Sequence, residues 1–456
     1  MKSVIVGRLA AILLLTGSLA ALAQSSYPQQ AAQAPNADVE GSGPIPQPPQ
    51  PPRPPRQPLI AKLRHLLYVA LPGSLERPFD PQGGGIVVLN ADQNYAFVKR
   101  IHVWDYAASL GPEPIGGVAA NPATNMMYVA AAGRLGAIDL ATDKLVWSTT
   151  LGGHCCERPS VTADGKTIVV GSEYQDYWLK VDARTGKLEA IIHTPGTNGA
   201  HNMNLSPDGK LAFLSAIGPQ LSIADVATAK VIRTITFPDN IRVQVLNKDA
   251  SKIYVNQDNF LGYMIADTHT GKILKSVEVN SVNWRAAWNK SPRVRPPHGC
   301  PSHGIALTQD GKEVWLADGI FNKIHVFSNT DNPKEIATID TPDGVYWLTP
   351  SVDGKLFYAS SGDVIDVATH KVIGTQKDEY GDVMGSEKEL ELAFSGGHLQ
   401  RASNQFGNEF GDFQNAEKIG VGLHMPVIPG FASAIATPTG SDPNDGLVIA
   451  DAQAAR

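Results

Sequence analysis

The chain has 456 residues, 43% of them hydrophobic and 18% charged, the make-up of a globular protein larger than one ordinary core. Its 38 Lys and Arg against 44 Asp and Glu give a formal net charge of −6; leaving out Lys2 and Arg8, 36 basic residues face 44 acidic ones, a formal −8. No basic stripe interrupts that balance, which argues against a nucleic-acid partner on electrostatic grounds.

Residues 1–23 read as a secretory signal. Lys2 and Arg8 flank the start of the apolar run 9–15, and Ala21-Leu22-Ala23 before Gln24 makes a small-residue cleavage site. The run is short and broken by Gly17 and Ser18, which does not suit a membrane anchor. The mature chain is therefore expected to be periplasmic or secreted, with no integral membrane segment. Residues 24–61 follow as a Pro- and Gln-rich linker, of which 41–58 has few apolar side chains to bury and is expected to be extended polyproline.

From 62 to 401 the chain repeats. Apolar strands are predicted at 66–70, 85–89 and 97–101. The phrase Asp-x-x-Thr-x-Lys then recurs at Asp139/Thr142/Lys144, Asp182/Thr185/Lys187, Asp225/Thr228/Lys230, Asp267/Thr270/Lys272 and Asp366/Thr369/Lys371, the first four Asp spaced by 43, 43 and 42 residues. That period fits one four-stranded propeller blade. Full units begin near Ile115, Glu157, His201, Arg242, His303 and Tyr346. Their Asp-Gly turns, such as Ser206-Pro207-Asp208-Gly209-Lys210, separate strands of alternating hydrophobicity. Residues 389–394 have a first-strand pattern and no followers, so they complete the three N-terminal strands as a seventh blade. The expected fold is all-β: a seven-bladed β-propeller of four-stranded antiparallel blades, closed by a C-terminal strand joining the N-terminal blade. Residues 402–456 are expected to be a tail, laid on the surface or partly disordered.

Met127-Tyr128-Val129-Ala130, Leu67-Tyr68-Val69-Ala70 and Ile253-Tyr254-Val255-Asn256, with the Asp-Gly-Lys and Thr-Gly-Lys turns, resemble the YVTN family of bacterial β-propellers over roughly residues 62–401. The tetrapeptides are degenerate relatives of that family's own. The resemblance implies a propeller like that of quinoprotein amine dehydrogenases, in a family of mostly exported proteins.

Function must come from residues that depart from the repeat. Counting eight back from each turn Gly or its equivalent gives Gly116, Glu157, His201, Arg242, His303 and Tyr346, which ring rotation would gather at one mouth of the channel. His201, His303 and Glu157, with His154 and His298 as further donors, suit a divalent transition metal such as zinc or copper. Glu157, Arg242 and Tyr346 are the candidates for acid/base work on an anion held by Arg242. The plainer alternative is a polar lining that holds ordered water.

Cys155, Cys156 and Cys300 are an odd count for an exported chain. A disulfide from Cys300 to Cys155 or Cys156 ranks first, metal ligation second and inert thiols third, with a vicinal Cys155–Cys156 bond as another pairing. About 20 extra residues precede His303, within 281–298. There Trp284, Arg285 and Trp288 could bind a flat or anionic ligand as a lid, or could cap the propeller. Glu173 to Tyr177 and Asp258 to Phe260 are expected on the same rim, and His269 and His370 in solvent on the opposite face.

Two functional readings stay open. One is an exported propeller that binds a small ligand or an envelope protein at its mouth, as an accessory to a redox enzyme. The other is a metal-dependent hydrolase or lyase of lactonase type, or a copper redox protein, built on the same His, Glu and Arg residues.

Overall fold

The computed structural model describes residues 65–71, 84–104, 115–131, 133–151, 155–172, 175–290, 300–342 and 344–404. The expected signal segment, the linker and residues 405–456 of the tail lie outside them, as do His154, His298, Glu173 and Tyr174. Among these residues the strands form seven antiparallel sheets in a ring, as the repeat predicts.

Local chemistry makes each blade. In the five Asp-x-x-Thr-x-Lys phrases the Asp Oδ1 accepts from the Thr backbone N–H and from the Thr hydroxyl, at 2.6 to 3.0 Å throughout. These bonds close the hairpin between a blade's third and fourth strands. Each hairpin also has a left-handed residue just before its Lys: Asp143, Gly186, Ala229, Gly271 or His370. The inner hairpins use a second device, in which Thr162, Ser206, Thr308 or Ser351 donates to the Asp two residues on. The Gly that follows that Asp has φ near 70°, which only glycine adopts at little cost.

Blades 1 to 6 begin with the innermost strands Gly117–Asn121, Cys155–Val161, Asn198–Leu205, Ile241–Leu246, Ile305–Leu307 and Leu348–Pro350. Second strands are buried on both faces, as in Met126–Ala131, because each blade is packed between two others. Outermost strands alternate, as Lys230–Thr236 does. Apolar clusters accordingly lie between neighbouring blades, for instance Trp315 with Phe357 between blades 5 and 6.

Blade 7 departs from the expectation. Glu389–Ser395 pairs with His65–Leu71, so the C-terminal strand does close the ring. It also has a follower: His398–Ala402 pairs with Glu389–Ser395 and makes this sheet five-stranded. The turn is Gly396-Gly397, both at positive φ (59° and 81°), the two-residue connection that suits strand twist. The added strand ties the flanking blades, since the Leu399 N–H donates to Asn125 Oδ1 of blade 1 and the Arg401 guanidinium to the Val352 carbonyl of blade 6.

The insertion after blade 4 forms a helix, Trp284–Lys290. Blade 5 anchors its start, because the Ser281 hydroxyl donates to Glu335. Glu335 and Asp318 also hold the buried His325 ring, at 2.7 and 3.0 Å. Burial opposes a charge on His325, but its two carboxylate partners outweigh burial and raise its pKa.

Candidate functional site at the channel mouth

Strand pairing gives the ring a register independent of the turns. In each second strand one residue, Tyr68, Tyr128, Val169, Phe213, Tyr254, Trp315 or Tyr358, faces an inner-strand partner. Three residues before that partner lie Gly116, Glu157, His201, Arg242, His303 and Tyr346. In blade 7 the partner is Leu390, and the same step lands on Glu387, a position the turn count had not supplied.

Glu157 and His201 meet directly, with Oε2 and Nδ1 2.6 Å apart. The His201 and His303 ring centres are 6.0 Å apart, and His303 in turn lies 6.0 Å from the ring of Trp347. Arg158, one residue past the ring position, has left-handed backbone (φ 46°) and a side chain only 1% exposed. Its guanidinium stacks 3.9 Å over Trp347, reaches Glu157 Oε1 at 3.2 Å, and forms an ion pair with Glu387. Lys388, equally buried, sits 3.8 Å from Glu387.

Glycine makes this convergence possible. The Arg158 N–H donates to the Gly116 carbonyl, and a Cβ on Gly117 would run into the Arg158 backbone. Blades 1 and 2 can approach this closely only because position 117 has no side chain. Burial alone would raise the Glu157 carboxyl, but His201, Arg158 and Lys388 outweigh it and hold the group at about 2. Glu157 is thus an anion, and the His201 ring nitrogen donates to it.

Other expected residues are committed elsewhere. Arg242 makes two bonds to Asp258, at 2.6 and 2.8 Å, which commit its guanidinium to that carboxylate. The Asp258 rim position is therefore Arg242's counter-ion. Tyr346 is half-buried, its N–H donating to Ser360 Oγ. The lid reading does not fit residues 284–288. Trp284 and Trp288 are buried in the cluster that runs from blade 2 to Trp347 of blade 6, and Trp284 also donates to Glu278. Arg285 is exposed, stacked on Trp284 and paired with Glu278. The two tryptophans cap the propeller because their apolar area is worth more in its core than at the mouth. His370 is not in solvent either: it lies 3.1 Å from Glu313 and edge-on to Trp315.

The cysteine ranking is also corrected. Cys155 is disulfide-bonded to Cys156, immediately before Glu157, and Cys300 is a buried free thiol. Cys300 donates to the Gln257 carbonyl, and burial, aided by Asp258, pushes its pKa up, keeping it a neutral thiol. Among the described residues no three His, Cys, Asp or Glu side chains are grouped to hold a metal ion. His201 and Glu157 bond to each other instead of converging on a common point.

No family profile and no curated protein matches this chain. Among solved structures it is similar to Kuenenia stuttgartiensis hydrazine synthase, with a TM-score of 0.51 and 17% identity over 62% of this chain and 89% of that one. At such identity the likeness concerns the fold alone. The chain is a seven-bladed β-propeller.

Proposed function

We propose that this protein is an exported propeller of YVTN type whose channel mouth binds a small polar ligand. The observation that carries the reading is the buried charged cluster of Glu157, His201, Arg158, Glu387 and Lys388 beside the aromatic faces of Trp347 and His303. Desolvating such groups costs several kcal/mol per ion, and apolar side chains would close the same gap at less cost. A cluster retained against that cost fits a site that orients a polar ligand by hydrogen bonds and stacking. Accessory work beside an envelope redox enzyme is consistent with such a binding role.

A second reading rests on the 2.6 Å Glu157–His201 contact. A carboxylate on Nδ1 orients an imidazole for proton transfer, the arrangement a hydrolase or lyase uses. The metal-assisted and copper versions belong to this reading.

The test is a thermal-shift screen of small acids, amines and sugars against the wild type, His201→Ala and His269→Ala. Compounds that raise the melting temperature of the wild type and of His269→Ala, but not of His201→Ala, support the mouth site. Hits that survive in His201→Ala refute it. Elemental analysis of protein purified without chelator separates the readings, since stoichiometric zinc or copper lost in His201→Ala would favour the enzyme.

A further inference from the structure

The phrase Asp-x-x-Thr-x-Lys is present in blades 1 to 4 and in blade 6 but missing from blades 5 and 7, and beside the blade 5 turn a cleft opens. Blade 5 has Ser328-Asn329-Thr330-Asp331-Asn332-Pro333-Lys334 in its place, one residue longer than the turns that carry the phrase. Three bonds fix the register: the Ser328 N–H donates to the Lys334 carbonyl, the Lys334 N–H to Ser328 Oγ, and the Asn329 N–H to the Lys312 carbonyl. By the same backbone bond, Asn329 stands where blades 2 and 3 have the buried Ala183 and Val226. An amide cannot be buried there without partners. It turns sideways instead, donating to the Gly311 carbonyl at 2.8 Å and accepting from the Tyr254 hydroxyl at 3.0 Å. The longer turn also reaches blade 4, where Lys275 donates to the Asp331 carbonyl.

The result is a cleft of about 760 Å³ between blades 4 and 5, on the turn face and away from the mouth. Its floor is apolar, made by Tyr254, Ile265, Leu307 and Leu274, and Leu274 is 43% exposed. Its polar groups differ in what they have left to offer. Asp249 is held by Ser251 and Asp310 by Lys312 and Thr308 within their own turns. Lys248 and Lys252 line the cleft with no side-chain partner among the described residues. In the matching inner turns of blades 2, 3, 5 and 6, by contrast, Lys166, Lys210, Lys312 and Lys355 each pair with the neighbouring Asp.

We propose that this cleft is a second ligand site, taking a small molecule with a flat apolar body and one anionic group. The body lies on Tyr254, Leu274 and Leu307, and the anion meets the ammonium groups of Lys248 and Lys252. The volume falls within the range of small-molecule sites, and an apolar floor with a few unspent polar groups is their usual composition. Naphthalene-2-sulfonate has this chemistry, and naphthalene-2-sulfonamide is its neutral match.

Titration of the full chain with each probe, followed by isothermal calorimetry and ligand-detected NMR, tests the assignment. Saturable sulfonate binding is expected, weakened roughly tenfold in Lys248→Gln/Lys252→Gln as two exposed charge contacts are lost. Leu274→Glu should abolish it, while Lys166→Gln/Lys210→Gln and His201→Ala should leave it unchanged. Equal affinity for the sulfonamide, an unchanged affinity in Lys248→Gln/Lys252→Gln, or no saturation at millimolar probe would each overturn the proposal.

Discussion

Replacing Glu157 with Gln keeps the shape of the mouth and removes one charge from it. Glu157 goes from an ordinary value of 4.5 to about 2 in the folded protein. That difference corresponds to roughly 3 kcal/mol of stabilisation of its charged form. Because the folded-state value lies below the unfolded one, this contribution is complete above about pH 4.5 and is lost as pH falls toward 2. The variant also leaves Arg158, Lys388 and His201 without one of their anions, so at pH 7 its cost should be at least that large. Many other carboxylates titrate over the same range, so the informative quantity is the difference between wild type and variant. Urea unfolding of both proteins at intervals from pH 7 to pH 2 should show that difference shrinking steadily below pH 4.5. A difference that stays constant with pH would refute the idea that the cations around Glu157 set its ionisation.

Other outcomes can be measured directly. Denatured without reductant, the chain should give one reactive thiol, Cys300, and after reduction three; native protein should give none, because Cys300 is buried. Three thiols before reduction would refute the Cys155–Cys156 pairing. Trp288→Ala should cost about 3–5 kcal/mol and visibly lower the melting temperature, because the ring fills the core between blades; a lid residue would leave the temperature unchanged. With its pKa raised, His325 stabilises the fold below the unfolded histidine value and loses that contribution as pH rises through the folded one. His325→Gln should therefore be more damaging at pH 6 than at pH 9 in chemical unfolding, and an equal effect at both would refute a charged His325.

The fold was legible because its determinants are local. An Asp that accepts from a Thr three residues on, and a Gly fixed at positive φ, are written in consecutive letters, so their period exposes the blades. The strand His398–Ala402 was not legible. Its burial follows no clean alternation, and what places it is backbone pairing beyond a Gly-Gly turn. That same turn hid Glu387, since counting eight back from Gly396 or Gly397 reaches Lys388 or Glu389. The Glu157–His201 meeting could be read from the register, because it needs only ring rotation. Side-chain commitments that depend on neighbouring loops could not, as with Arg242 held by Asp258 and the tryptophans of the insertion drawn into the core. Arg158 carried a signal in hindsight: a cation beside a ring position, facing a Gly-Gly pair in the preceding blade.

The sheet that joins His65–Leu71 to Glu389–Ser395 imposes an order of events on synthesis. Six blades have all their strands before residue 376, yet the first strands made wait for the last ones, more than 300 residues later, to be paired. Until then His65–Leu71 presents an unpaired, almost wholly apolar edge, a template for pairing with another chain. A contact this distant in sequence is slow to form, and the ring cannot close around a chain still leaving the ribosome. Such a chain stays open through synthesis. The five strands of blade 7 then act as a clasp, and a chain cut short before residue 389 would keep its blades but expose the edge along which they aggregate.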